Sequence, residues 1–156
     1  MELVNTLDRT VAGFIRDFSK AVLIPDYVTI EIDWDSWNLD DGIQAQCSRV
    51  RKRHYLIEFD SAALATDELF IRNLSHELTH VRQFMRNGLK PVGKSGWQFM
   101  NARFAYESDL DYWFAPWEVE ARGMEQAGWA LYCSRINSDA SLKIPLDIIK
   151  RALYNM

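Results

Sequence analysis

The stretch "NLSHELTHVRQF", Asn73 to Phe84, holds two of the three histidines of this 156-residue chain, four residues apart. On a helix, this spacing puts His76 and His80 on one face about one turn apart, so both side chains can reach a single metal ion. Glu77 then lies to one side of a water on that metal. Zinc lowers the pKa of such a water and a nearby carboxylate takes its proton, which is the chemistry needed to hydrolyse an amide at neutral pH. The stretch therefore predicts a zinc site that carries its own catalytic base.

The apolar residues around the pair indicate which side of the helix faces the core. We expect this helix to run from Asp67 to Met85, with one apolar stripe formed by Leu74, Leu78, Val81 and Met85. At 100° per residue, His76 and His80 lie nearly opposite that stripe. They are therefore not expected to be core histidines, and the alternative to a metal site is a solvent-facing pair without metal.

A catalytic zinc ion usually has three protein ligands and a water, so a third ligand is needed. No histidine follows His80, and Gln83 and Arg86 occupy the positions where a metzincin has glycine and histidine. The remaining histidine, His54, belongs to a predicted strand and suits a surface or cross-strand position better. The carboxylates of the later segment "PWEVEARGMEQ" are stronger candidates.

That segment opens a second predicted helix, from about Pro116 to Arg135. Its inward stripe comprises Trp117, Ala121, Met124, Gly128 and Leu131. Glu120 lies at the edge of the stripe, where a carboxylate is costly unless it is paired or bound to metal. Glu118 points away, with Arg122 as a partner one turn later. We therefore predict Glu120 as the third ligand, Glu118 as the alternative, and an ordinary surface ion pair as the reading without metal.

The pattern His76-Glu77-Leu78-Thr79-His80, followed 40 residues later by Glu120 in Glu-Val-Glu-Ala, resembles the gluzincin branch of the zincin metallopeptidases. The Pro-Trp-Glu-x-Glu-Ala context is similar to that of small metallopeptidase-like proteins, many of them phage-encoded. The resemblance covers about residues 69–131. It implies a zincin-like fold, with zinc on the two histidines and the glutamate, and Glu77 as general base.

One position departs from the thermolysin-like pattern, in which an acid four residues after the ligand glutamate orients a histidine. Here that position is Met124. An orienting group must come from elsewhere, and the candidates are a backbone carbonyl or one of three carboxylates: Asp109, Asp111 and Glu125. The oxyanion-stabilising residue is not part of any motif; we predict Tyr112, with Tyr106 as a second candidate, and either can instead be a packed aromatic.

The rest of the chain predicts a small sheet beside these helices. Apolar spacing indicates an N-terminal packing helix over Val4–Val22, and alternation indicates strands in "YVTIEIDW" and "HYLIEF", with a weaker one near Ile43–Cys47. A short last helix is expected around Leu146–Tyr154. This order predicts one α+β domain over residues 1–156, with a zincin-like arrangement.

Composition excludes several classes of function. A net charge of −4 with one short basic cluster, "RVRKR" at Arg49–Arg53, argues against nucleic-acid binding, and the cluster itself suits a solvated turn between strands. No apolar run approaches the length of a membrane span, and the start has no signal-peptide pattern. Cys47 and Cys133 lack metal or redox spacing and are expected to be reduced thiols. We expect a cytoplasmic protein, in the host cytoplasm if phage-encoded.

Three functions compete at this point. The leading hypothesis is a Zn²⁺-dependent hydrolase of peptide or protein substrates, with an edge strand such as "HYLIEF" pairing with the extended substrate. The second is a zinc-binding interaction or virion-associated protein that keeps the site without turnover. The third is a metal-free helical scaffold.

Overall fold

The computed structural model describes residues 1–4, 9–34, 36, 39, 43–60, 65–93, 96–105 and 107–136. These residues form an α+β structure, as predicted. In chain order, the elements are β1 (Glu2–Val4), α1 (Arg9–Ala21), β2 (Thr29–Asp33), β3 (Ala45–Arg51), β4 (His54–Phe59), α2 (Asp67–Arg82), a π-helical segment (Gln83–Asn87), β5 (Lys90–Pro91), β6 (Gly96–Phe99), β7 (Ala102–Ala105), α3 (Asp109–Trp113) and α4 (Pro116–Ile136).

The larger sheet has the strand order β1-β2-β4-β3 among the described strands. The first three are parallel, and β3 runs antiparallel to β4. The alternation in "HYLIEF" predicted β4 correctly, but its suggested place at the edge was wrong, since β4 pairs on both sides. The strand at that edge is β3, and the basic Arg49–Arg53 cluster spans its end and the turn into β4.

Helices α1 and α2 cover the sheet through the apolar stripes seen in the sequence. Phe14, Ile15 and Phe18 of α1 are fully buried, and so are Ile71, Leu74, Leu78 and Val81 of α2. These side chains join inward residues of β2 and β4 in one core cluster. The stripe predicted for α2 is confirmed at Leu74, Leu78 and Val81, and it turns the opposite side of the helix, with His76, away from the core. Met85, the fourth residue of the predicted stripe, lies in the π-helical segment after α2 and is only partly buried.

Helix α4 packs antiparallel on α2, and two contacts define its position. Near one end Gly128 comes so close to Ser75 that a Cβ at Gly128 would lie 2.5 Å from the Ser75 Cβ. Near the other end the Gln83 side chain donates to the Trp117 backbone oxygen at 2.9 Å. Pro116 occupies the first position of α4, where its missing N–H costs nothing.

A second, three-stranded sheet in the order β5-β6-β7 follows the π-helical segment. With the start of α4 it encloses a smaller apolar cluster of Leu89, Phe99, Ala115 and Trp117. The short helix α3 begins at the Ser108 cap, where the side chain accepts from the Asp111 N–H. This sheet and α3 were not foreseen from the sequence.

Several boundaries differ from the prediction. The N-terminal helix was expected from Val4, but Glu2–Val4 form β1, parallel to β2, and the helix begins at Arg9. The helix expected around Leu146–Tyr154 lies outside the described residues. Cys47 and Cys133 are free thiols, as expected. Within the described part of the chain, no helix has both the length and the apolar character needed to cross a membrane.

Candidate metal site

The imidazoles of His76 and His80 meet on the side of α2 that faces α4. Their ring centroids are 4.8 Å apart. The carboxylate of Glu118, in the first turn of α4, bridges them: its Oε2 lies 3.2 Å from His76 Nε2 and its Oε1 lies 3.4 Å from His80 Nε2. One donor atom from each of the three residues lies within 4.8 Å of the others, a spacing that can hold one metal ion.

The structure corrects the predicted orientation of α4. Glu118, expected to point away, is buried beside both histidines, although it also lies 3.9 Å from Arg122 as expected for the pair. Glu120, predicted as the third ligand, instead forms an ion pair with Arg82 and accepts a hydrogen bond of 2.8 Å from Gln83. The two glutamates flank opposite edges of the buried stripe of α4, and the edge that meets the histidines is that of Glu118.

Each histidine has a different partner on its outer nitrogen. His76 Nδ1 lies 2.9 Å from the carboxylate of Glu125, one of the three orienting acids considered from the sequence. Burial lowers the pKa of His76, but hydrogen bonds to Glu118 and Glu125 outweigh it and raise the pKa to about 10. Metal-free His76 is therefore a cation held between two carboxylates at neutral pH.

The outer nitrogen of His80 is bound by a neutral group. His80 Nδ1 lies 2.7 Å from the side-chain oxygen of Gln83, which is fully buried. Sequence reasoning considered Gln83 only as a departure from the metzincin pattern and missed this contact. The available signal was its spacing, because a residue three positions after a histidine lies on the same face of a helix.

Glu77 lies at the base of the same site with little exposure. Burial raises the pKa of its carboxyl, although the nearby histidines act in the opposite direction, as does a backbone hydrogen bond from Cys47. Cys47 belongs to the edge strand β3, so this contact joins the α2 face of the site to the sheet. A raised carboxylate pKa suits a group that must accept and return a proton near neutral pH.

Tyr112 of α3 lines the cleft together with His76, Glu77 and Glu118. Burial raises the pKa of Tyr112, and the Glu118 carboxylate raises it further, so its hydroxyl stays protonated and can donate a hydrogen bond. Tyr106, the other tyrosine considered, lies outside the described residues.

The remaining sequence candidates lie away from the histidines. The Asp111 carboxylate accepts a hydrogen bond from the hydroxyl of Ser108, the N-cap of its own helix, and Asp109 is exposed in the first turn of that helix. His54 lies on β4, 3.1 Å from Glu31 of β2, in the cross-strand position expected for it.

Two adjoining pockets, of 390 and 370 Å³, meet at His76, Glu77, Tyr112 and Glu118. One opens toward α3 and Arg122, and the other runs along β3 past Gln46 and Cys47 toward Trp97. The histidines are therefore reached from a cleft between the edge strand and the start of α4.

The donor set fits a zinc ion. Two imidazole nitrogens and one carboxylate are ligands that zinc takes in catalytic sites with three protein ligands. Glu118 Oε1 is buried and accepts no hydrogen bond within the described residues, so this oxygen can bind a metal ion, while the other oxygen pairs with His76 in the metal-free protein. Comparison of the chain with protein-family models, curated proteins and solved structures finds no match.

Proposed function

We propose that this protein is a zinc-dependent peptidase of the gluzincin type, with a zincin-like fold and a site formed by His76, His80 and Glu118. The observation that carries the proposal is the convergence of both Nε2 atoms on one buried carboxylate, with Glu77 beside them. Bound zinc would lower the pKa of a coordinated water and polarise the carbonyl of the substrate.

In this proposal Glu77 is the general base. It accepts a proton from the attacking water and can return it to the amine that leaves when the peptide bond breaks. Its position supports this role, because Glu77 is buried in the cleft beside both histidines, where desolvation raises the pKa of its carboxyl in the metal-free protein. Tyr112, protonated and on the wall of the cleft, is hydrogen-bonded to the Glu118 carboxylate in the metal-free protein; with that carboxylate bound to zinc, its hydroxyl can instead donate a hydrogen bond to the oxyanion of the tetrahedral intermediate.

The substrate in this proposal is an extended peptide. Strand β3 is at the edge of the described sheet and lines the pocket beside His80 through Gln46 and Cys47. Its outer backbone groups, apart from the Cys47 N–H that bonds to Glu77, can pair with an incoming strand, which positions a peptide bond over the histidines. We therefore propose β3 as the substrate-pairing strand in place of "HYLIEF" (β4), because the backbone of β4 is already paired on both sides.

The test uses the zinc-loaded full chain and a library of unstructured peptides. Wild type should cleave a subset of peptides, and Glu77→Gln should slow cleavage by about 10²–10⁴-fold while leaving zinc bound, because Glu77 is a base and not a ligand. Glu68→Gln is the matched control, since Glu68 lies on the same helix and pairs with Arg72 away from the cleft.

The outcomes separate the competing functions. Purified protein that binds no zinc rejects the metal site. Zinc binding without cleavage of any peptide rejects the peptidase and favours a zinc-binding protein without turnover. Equal loss of activity in Glu77→Gln and Glu68→Gln rejects the role given to Glu77.

A further inference from the structure

Gln83 is a buried polar side chain beside the site, and the proposed chemistry does not use it. It is fully buried, and it lies at the point where α2 passes into the π-helical segment. Such a change in helical hydrogen bonding is often found at functional sites.

The acceptors around Gln83 determine how its amide is oriented. Its Nε2 lies 2.9 Å from the Trp117 backbone oxygen and 2.8 Å from Glu120 Oε2. A carbonyl oxygen can only accept, and the Glu120 carboxylate, paired with Arg82, is also an acceptor. The amide nitrogen must face these two groups, so the amide oxygen must face His80.

This orientation in turn determines which nitrogen of His80 carries hydrogen. The Gln83 oxygen, 2.7 Å from His80 Nδ1, can only accept, so Nδ1 must donate. The lone pair of a neutral His80 is then on Nε2, which lies 3.4 Å from the Glu118 carboxylate that also contacts the Nε2 of His76. That is the tautomer a metal ion in this position requires.

We propose that Gln83 is the positioning residue of the site: it holds His80 as an Nδ1 donor and aims its Nε2 at the metal position. Glu120, held by its ion pair with Arg82, accepts from the amide nitrogen of Gln83 and so prevents the amide group from flipping. The inference rests on the proposed function for its metal, but the orientation of His80 is a property of the metal-free protein as well.

The test compares Gln83→Met, Gln83→Glu and the wild type. Methionine has a similar length, but its thioether sulfur is only a weak acceptor for the His80 N–H. The oxygen of a glutamate facing His80 accepts whether the carboxyl is ionised or protonated. Gln126→Met is the matched control, because Gln126 is an exposed glutamine of α4 that pairs with Arg72. Two quantities are measured: zinc affinity by competition with a chelator, and the His80 Nδ1–H signal in proton–nitrogen correlation spectra of metal-free protein.

We expect a slowly exchanging His80 Nδ1–H proton in wild type, in Gln83→Glu and in the control. Gln83→Met should lose that protection, and its zinc affinity should fall by about 10–100-fold, the range usual for outer partners of ligating histidines. Gln83→Glu should keep near wild-type affinity, because the oxygen facing His80 is retained. Its melting temperature should drop, because the oxygen that replaces Nε2 loses both bonds to α4 and lies against the Glu120 carboxylate. A purely structural role would instead make affinity follow stability in both variants.

Three results would overturn the inference: no protected Nδ1–H on His80 in wild type, unchanged affinity and protection in Gln83→Met, or equal affinity losses in folded Gln83→Met and Gln83→Glu. The wild-type spectrum decides the first even if a variant fails to fold. Failure of the proposed function gives a different pattern of results. If no peptide is cleaved, both the zinc affinity and the His80 Nδ1–H signal can still be measured. If no zinc binds, the spectra of the metal-free protein can still be recorded.

Discussion

The α2–α4 interface is built differently at its two ends. At the His76 end the helices touch through small side chains, Ser75 and Gly128, and the outer partner of the histidine is a part-exposed carboxylate, Glu125. At the His80 end the outer partner is the buried amide of Gln83, which is bonded to the α4 backbone. The His76 end therefore responds to charge and pH, whereas the His80 end depends on a network built into the packing.

Two carboxylates of α4 give the sharpest comparison. Glu118 contacts both histidines, whereas Glu120 contacts the Gln83 amide, which in turn contacts His80. Glu118→Gln removes a proposed ligand charge and should weaken zinc binding by about 100-fold or more, beyond the range for outer partners. Glu120→Gln should cost no more than about 10-fold, since the Trp117 oxygen still orients Gln83. Chelator competition measures both, and a larger loss in Glu120→Gln would restore the original prediction for that residue.

That comparison also shows what the sequence could and could not predict. The histidine pair and its helix were predictable because both spacing and apolar stripe are local properties of α2. Glu118 and Glu120 flank opposite edges of the α4 stripe, and periodicity does not say which edge meets α2. That choice is made by the contacts of Gly128 and Gln83, which join residues distant in the chain.

The sheet shows the same limit. Alternation found β2 and β4, because a half-buried strand has a local period, but strand order depends on pairing between distant segments. Hence β4 proved to be internal and β3 the edge. The three-residue β1 has too few residues for a periodic signal, and β1 forms only by pairing with β2.

The next largest effect that we predict is the release of a proton from His76 when zinc binds. The pKa of metal-free His76 is raised to about 10 from 6.5, so the stability it contributes is fully present below pH 6.5 and is lost as pH rises toward 10. Zinc must displace this proton, so at pH 7–8 binding should release about one proton from His76, and affinity should rise about 10-fold per pH unit. Calorimetry in buffers of different ionisation enthalpy measures the release.

Two variants check that the proton belongs to His76. Glu125→Gln removes one of its two carboxylate partners and should reduce both the proton release and the pH dependence of metal-free stability. His54→Gln, which changes a histidine on β4 outside the site, should leave the proton release on zinc binding unchanged. Equal release from wild type and Glu125→Gln would assign the proton to another group.

The smallest effect concerns the close contact at the His76 end. An alanine Cβ at position 128 would overlap the Ser75 side chain, which is held by a hydrogen bond of 2.7 Å to the Ile71 oxygen. Gly128→Ala should therefore destabilise the protein by about 1–2 kcal/mol, because overpacking outweighs the gain in helix propensity. Gly123→Ala is the matched change on the same helix: no described atom lies within 4 Å of its added Cβ, so it should stabilise by about 0.5–1 kcal/mol. Urea unfolding of the metal-free variants measures both; if Gly128→Ala proves as stable as Gly123→Ala, the small-residue contact does not set the separation of α2 and α4, and the His76 end is held by its charges alone.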